Sequence, residues 1–266
     1  MAVEISLIYF SWVKKDTVLL INSCLQIEGD YPEKGLPIVH AYFINLIYLS
    51  VGALVTMPLT VIIMVLYCPC IPPILSSFLY VECRSWDDAP QMRFMLKALL
   101  TSLSYYFAAV ASAATFFLVV VIFIYPLEVK IMLLGAIKRK FHEREVFQSP
   151  YLVTYRIIQL LSNMQNAVLG IPIMQVIIGS VTLTESLALY ILITSASALP
   201  PQFLLSLSIF AVYMFIVIVG PFKLAANPYQ KSVELLGLLK SLNGSKWSKR
   251  SVMSFPSSKL SLGDGK

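Results

Sequence analysis

Charged side chains are scarce in this 266-residue sequence, which excludes an ordinary soluble domain. Asp, Glu, Lys and Arg make up only 13% of the residues, whereas soluble domains carry about 25%. Hydrophobic residues make up 58%, the mean hydropathy is +0.79, and the apolar residues lie in a few long runs. The sequence therefore predicts an all-α integral membrane protein in which lipid surrounds the apolar runs.

Cysteine is also scarce, and this excludes a disulfide scaffold. The four cysteines fit no zinc-ligand spacing; they are Cys24, Cys68, Cys70 and Cys83. We interpret them as small buried residues with free thiols. The alternative is a disulfide that joins Cys70, or Cys68, to Cys83 on the outer side of the membrane, where disulfides persist.

Catalytic and metal-binding motifs are missing as well. The sequence has no nucleophile elbow, P-loop, zinc-protease motif or pair of intramembrane aspartates. The two histidines, His40 and His142, stand alone in the sequence. We therefore predict that the protein is not an enzyme, with no catalytic residue, no metal site and no cofactor.

Four apolar runs are long enough to cross a membrane, since a span of about 30 Å requires about 20 helical residues. The predicted spans are residues 41–67, 98–125, 167–194 and 203–220. Prolines mark their ends, with Pro72 after the first span, Pro126 after the second and Pro200 before the fourth. The prediction is a polytopic bundle of four helices in a membrane domain 41–222, between an N-terminal segment 1–40 and a basic tail 223–266.

The distribution of Lys and Arg predicts the orientation, because positively charged loops resist translocation. Of the 20 Lys and Arg residues, 17 lie in the N-terminal segment, the loop 126–166 and the tail. Both termini are therefore expected in the cytosol, and a glycan on Asn243 would contradict this. The basic side favours anionic lipid headgroups as a partner rather than nucleic acid.

Two cytosolic segments have the periodicity of amphipathic helices. Residues 151–166 are predicted to extend the third span into the cytosol. Residues 229–242 are predicted to form a second helix with an apolar side, ending at Asn243 and Gly244. The apolar side of this second helix comprises Val233, Leu235, Leu236, Leu239 and Leu242.

A polar stripe on the third span is the candidate ligand-binding site. Gln175, Thr182 and Ser186 share one helical face, with Glu185 beside them. A carboxylate within a span is costly and commonly faces a bundle interior or water. Two interpretations stay open: a site for a small organic ligand, or helix packing with Glu185 close to the outer interface.

The second span offers a similar choice between packing and binding. A small-residue face suits close helix approach; it comprises Ser104, Ala108, Ala111, Ser112 and Thr115. Aromatic residues from Tyr105 to Phe117 could line an apolar pocket, although such residues are more often bundle core. We interpret both sets as packing.

Three segments carry a resemblance to a known family. They are TYRIIQLLSNMQNAVLGIPIMQVIIGS from Thr154, the CPCIPP turn, and the tail KWSKRSVMSFPSSKLSLG. They resemble uncharacterised multi-pass proteins of springtails and related arthropods, which in turn look like the insect odorant and gustatory receptor superfamily. The resemblance implies seven helices, a cytosolic N-terminus, assembly into a ligand-gated cation channel and a ligand pocket in the outer half of the bundle.

On that plan the four spans match helices three to six. The first two helices are missing, as is the pore-lining seventh with its Thr-Tyr and Gln-Phe signature, so channel activity is not expected of this chain alone. We therefore expect a truncated or divergent chemoreceptor-like subunit, in the plasma membrane and in a homo- or hetero-oligomer. The alternatives are a tetraspan scaffold or accessory subunit without sensing or transport, and a small transporter, for which no inverted repeat is evident.

Overall fold

The computed structural model describes residues 8–9, 11–30, 37–67, 70, 94–144, 149–170, 173–194, 201–241, 250 and 253–258. Within these residues the regular elements are helices, and no strand occurs. In chain order they are α1 (Lys14–Asp30), α2 (Pro37–Tyr67), α3 (Phe94–Phe116), a π-helical segment (Phe117–Ile124), α4 (Tyr125–Arg144), α5 (Ser149–Leu169), α6 (Ile173–Thr194) and α7 (Pro201–Ser241). The predicted all-helical class is confirmed.

The chain divides into two compact units, and each draws on segments that are distant in sequence. Unit 1 comprises Met1–Ile47, Leu118–Ile178 and Val219–Lys266, and unit 2 comprises Tyr48–Phe117 and Gly179–Ile218. The chain therefore leaves unit 1 twice and returns to it twice. Helices α2, α6 and α7 each begin in one unit and end in the other.

Unit 1 has a packed core in which α1, α4 and α5 contact one another. Helix α5 buries one face, with Tyr155, Ile158 and Leu161 almost fully shielded. This spacing of three residues confirms the helical periodicity predicted for residues 151–166. Helix α1 buries Thr17, Leu20 and Cys24 against the same core, although its sequence had suggested only a cytosolic segment.

Unit 2 has a much smaller core, formed by Val65, Ala188, Leu207 and Ala211. Helices α2 and α7 approach closely there, since a Cβ atom added at Gly52 would lie 3.1 Å from the hydroxyl of Tyr213. Most large apolar side chains of this unit lie on its outside. That distribution is typical of helices whose solvent is lipid rather than water.

Three helical stretches are long and apolar enough to cross a membrane: Phe43–Leu66, Phe94–Arg139 and Ile173–Thr194. Leu207–Ile216 in α7 is a shorter apolar helix. The described residues thus confirm a helical protein with several potential spans. The fourth span at 203–220 stays a prediction.

The helix of the second predicted span does not end at Pro126, as the sequence had suggested. The helix continues through a π-helical segment into α4, so Phe94–Arg139 is a 46-residue apolar helix. Proline lacks an N–H and its ring crowds the carbonyl one turn earlier, and a wider π turn just before it relieves this conflict. The 46 residues of this helix are more than twice the roughly 20 residues that a membrane crossing requires.

The predicted loop 126–166 is therefore largely helical, with α4 and α5 packed in unit 1. The third span also differs from its prediction, because α5 ends at Leu169 and α6 begins at Ile173. Gly170 lies at this break, where a Cβ atom would meet the carbonyl oxygen of Asn166 at 2.9 Å. Glycine permits that close approach, which any larger residue would oppose.

The tail confirms its predicted helix as the last part of α7. Leu235, Leu236 and Leu239 are buried in the core of unit 1, whereas Val233 is exposed, against the prediction. Asn243, Gly244 and Leu242 lie outside the described residues. An exposed ion pair of 3.4 Å joins Lys138 of α4 to Glu234 of α7.

Candidate functional site

The structure spreads the predicted polar stripe along α6 without enclosing it. Gln175 is exposed in unit 1, while Thr182 and Ser186 are exposed in unit 2. The hydroxyl of Ser186 donates to the carbonyl of Thr182 at 2.8 Å, within its own helix. Such backbone bonds let a hydroxyl face lipid without a partner from another helix.

Glu185 differs from its neighbours on α6. Its side chain is half-buried, and its Oε2 atom is shielded with no hydrogen-bond partner in the described part of the chain. An unsatisfied buried carboxylate oxygen is energetically costly. Of the four stripe residues, only Glu185 has a shielded oxygen that lacks a hydrogen-bond donor.

The small-residue face of α3 is partly buried, and Ser104 is buried with an unpartnered hydroxyl. The aromatic residues that we expected in the core lie outside it: Tyr105, Tyr106, Phe107 and Phe117 are all exposed. The packing interpretation thus fits the small residues and fails for the aromatic residues. In a membrane these aromatic side chains would contact lipid or another protein.

The cysteines divide into two kinds. Cys24 is free and buried in unit 1, as predicted. Cys70 is buried and disulfide-bonded, so the preferred interpretation of a free thiol is wrong at this position. Cys83 lies outside the described residues, and its pairing with Cys70 stays a prediction.

A second polar site, which the sequence did not indicate, surrounds a buried lysine in unit 1. Lys130 of α4 is only 1% exposed, and its Nζ atom donates to Ser162 Oγ of α5 at 3.5 Å. Lys130 lies beyond the predicted span 98–125. Burial lowers the pKa of Lys130 to about 8, and the nearby Cys24 opposes this effect.

The hydroxyl of Ser162 connects Lys130 to the C-terminal part of the chain. Ser162 Oγ lies 2.9 Å from the carbonyl of Ile158, to which it donates, and 2.6 Å from Ser258 Oγ. A hydroxyl has a single proton. Because Ser162 uses this proton on its own helix, it accepts from both Lys130 and Ser258.

Residues 255–258, which we call the tail segment, lie against α5 and α7 without forming a helix. The carbonyl of Pro256 accepts hydrogen bonds from Tyr155 Oη at 2.9 Å and from Gln159 Nε2 at 3.2 Å. The backbone N–H of Ser258 donates to Ser232 Oγ of α7 at 3.0 Å. Main-chain groups of the tail segment are thus held by side chains from two helices.

An aromatic contact completes the docking of the tail segment. The ring of Phe255 stacks on Tyr155 with centroids 5.4 Å apart and an interplanar angle of 27°. The guanidinium of Arg156 lies 5.9 Å from the centre of the Phe255 ring, within the range of a cation–π contact. Burial raises the pKa of Tyr155 from its ordinary value of 10 to about 12, so its phenol stays protonated well above neutral pH.

Several of these residues could not be recognised as a site in the sequence. Lys130 was one of several basic residues in the predicted loop 126–166, and the tail 223–266 was predicted only as a basic segment with one helix. The only usable signal was the helical spacing of Tyr155, Gln159 and Ser162 on α5, at i, i+4 and i+7. In the described residues no group of three His, Cys, Asp or Glu side chains could hold a metal ion.

Comparisons with known proteins do not identify a family for this chain. No protein-family model, curated protein or solved structure matches the chain. Function must therefore be argued from the residues themselves.

Proposed function

We propose that this chain is a chemoreceptor-like subunit of the plasma membrane that senses a small organic ligand through a site on α6. The observation that carries the proposal is the shielded, unpartnered carboxylate oxygen of Glu185. A ligand with a hydroxyl, amine or amide group would supply the missing donor. The exposed side chains of Thr182 and Ser186 lie on the same part of α6 and provide neighbouring polar contacts.

The division into units supports the topology on which this proposal depends. The three segments of unit 1 contain the regions that the charge distribution assigns to the cytosol, and their ranges contain 17 of the 20 Lys and Arg residues. The charge distribution predicts that these three regions lie on the cytosolic side of the membrane. Each time the chain leaves unit 1 and returns to it, it must then cross the membrane an even number of times. This favours a fourth crossing through Leu207–Ile216 of α7.

A tetraspan scaffold or accessory subunit is the second candidate, and the surface of unit 2 favours it. Tyr106, Phe107 and Leu183 are each more than half exposed there. The hydroxyls of Thr115 and Ser186 bond to their own helices, which leaves few polar groups prepared for a ligand. Such a surface fits binding to other membrane proteins without sensing or conduction.

Expression in oocytes, with and without a full-length receptor of the resembling superfamily, separates the two candidates. The receptor proposal predicts a ligand-evoked current that depends on this chain. Copurification with the full-length receptor and no current would favour the scaffold instead.

The substitution Glu185→Gln tests the site in the same assay. It keeps the shape of the side chain but removes the charge, and we expect at least a tenfold higher half-maximal ligand concentration, which is about 1.4 kcal/mol of lost binding. Thr184→Val is the matched control, because the Thr184 hydroxyl donates to the Ser180 carbonyl at 2.7 Å within α6. An unchanged response of the Glu185→Gln variant would rule out this site.

A further inference from the structure

The tail segment is held in the way that proteins bind extended peptides. Its contacts with the helices combine hydrogen bonds to main-chain groups with a side-chain anchor at each end, Phe255 and Ser258. In peptide recognition the main-chain bonds provide affinity, and the anchored side chains provide selectivity.

The surface that receives the tail segment is built into the helices. Tyr155, Gln159 and Ser162 form one face of α5, and Ser232 adds the neighbouring surface of α7. Ser232 Oγ donates to the carbonyl of Tyr229 at 2.8 Å, which leaves it free to accept from the amide of Ser258. These four residues, called the docking face, therefore present two donors and two hydroxyl acceptors to an incoming chain.

We propose that the docking face is a peptide-recognition site for a Phe-Pro-Ser-Ser segment, occupied within the same chain by residues 255–258. The site is separate from Glu185 and does not depend on the proposed function. Pro256 suits this role because its fixed φ angle favours an extended backbone before docking. It also lacks an N–H that would otherwise need a partner.

The length of chain between α7 and the tail segment determines the peptide concentration that a competition experiment requires. Residues 242–252 join Ser241 to the region of the tail segment. A short tether gives an effective concentration on the order of millimolar. A free peptide must therefore be supplied at millimolar concentration to displace the tethered segment.

Hydrogen exchange on the full chain in nanodiscs measures this displacement. The probe peptide is SFPSSKLSL, the sequence from Ser254 to Leu262, and the readout is the exchange rate of the Ser257 and Ser258 amides. We expect an acceleration of at least about threefold in excess peptide. The control peptide SAASSKLSL, which lacks the Phe and the Pro, should leave the rate unchanged.

Two results would overturn the proposal. If millimolar SFPSSKLSL leaves the exchange rate unchanged, the tail segment is a fixed part of the fold rather than a replaceable ligand. If both peptides accelerate exchange equally, the docking face does not recognise the Phe-Pro sequence.

A variant that preserves the fold provides a second measurement. Tyr155→Phe keeps the ring that stacks on Phe255 and removes only the donor to the Pro256 carbonyl. Loss of one hydrogen bond should accelerate exchange of the Ser258 amide by about twofold to tenfold. Tyr190→Phe, at an exposed position of unit 2, is the matched control, and equal rates in the two variants would contradict the role of Tyr155.

A covalent lock tests whether the segment comes from the same chain. Ser162→Cys combined with Ser258→Cys places two thiols where the hydroxyl oxygens are 2.6 Å apart. Under mild oxidation with dioxygen, two thiols lose two electrons and two protons to form one disulfide. We expect a monomer on a non-reducing gel and no acceleration by the peptide, whereas a cross-linked dimer or the absence of a bond would overturn occupancy within one chain.

Discussion

Units 1 and 2 place their large apolar side chains in opposite ways. In unit 1, residues of α1, α4, α5 and α7 bury their large side chains against one another. In unit 2, four buried residues form the core, while leucines, tyrosines and phenylalanines cover the outside. The first arrangement is what water requires of a helical domain, and the second is what lipid permits.

The difference teaches that hydrophobic content alone does not locate the core of this protein. Leu133 in α4 and Leu187 in α6 are the same residue type, yet one is fully buried and the other is 51% exposed. The solvent around each leucine decides whether its side chain stabilises the fold by being buried. Substitutions in matched pairs can therefore test the comparison directly.

The largest expected effect comes from truncating the core of unit 1. Leu133→Ala should destabilise the protein by about 2–5 kcal/mol, because it removes buried methyl groups and leaves a cavity. At about 2–4 °C per kcal/mol, the apparent melting temperature in detergent should fall by about 4–20 °C. Leu187→Ala is the matched control, with an expected change of less than about 2 °C. Equal losses in the two variants would contradict the division into a packed and a lipid-facing unit.

The next effect concerns the buried charge of Lys130. Its pKa of about 8 in the folded protein lies below the ordinary value of 10.5. A lowered lysine pKa means that the folded state binds fewer protons, so stability rises as the pH increases from about 8 to 10.5. Burial therefore makes the charged form of Lys130 costly at neutral pH.

Lys130→Met should therefore raise the apparent melting temperature at pH 7 by several degrees, as replacing buried charges by apolar groups often does. Between pH 8 and 9 the wild-type protein should gain about 1 kcal/mol, and the variant should lack this gain. Burial raises the pKa of Cys24 from its ordinary value of 9 to about 12. Cys24 therefore does not titrate between pH 8 and 9 in the folded protein. Parallel pH profiles for the two proteins would show that Lys130 is not buried as a charge.

The smallest expected effect compares Gly170, which precedes α6, with Gly179, which lies within α6. Gly170→Ala places a Cβ atom 2.9 Å from the Asn166 carbonyl, and we expect a loss of about 1–3 kcal/mol. Gly179→Ala is the control, because no atom lies within 4 Å of its Cβ position, and it should be neutral or stabilising. Thermal scans of both variants measure the effect. A control that loses as much as Gly170→Ala would mean that the close contact is not the cause.

Much of the fold followed from sequence patterns that act over one helix. The uncharged runs predicted helices with lipid as solvent, and three stretches of the described chain are long and apolar enough to be spans. The period of Tyr155, Ile158 and Leu161 predicted the buried face of α5 correctly. These features depend on composition and on the geometry of a single helix, both of which are local.

The errors arose where neighbouring elements decide the outcome. Pro126 was expected to end a helix, but a π-helical segment lets the helix continue. Helix α1 has mixed polarity, and its burial depends on α4 and α5. The candidate stripe on α6 was read from spacing, yet spacing cannot tell which of its residues is shielded, and only Glu185 carries a shielded, unpartnered oxygen.

The amino-acid sequence by itself determined that this protein is helical and rich in membrane-compatible runs, because apolar length and charge distribution act through the solvent on each segment separately. Only the tertiary structure decided that Lys130 is buried and that residues 255–258 dock on α5 and α7. Those outcomes join residues about 30 and 100 positions apart. Such contacts depend on how helices pack, and no local pattern encodes that packing.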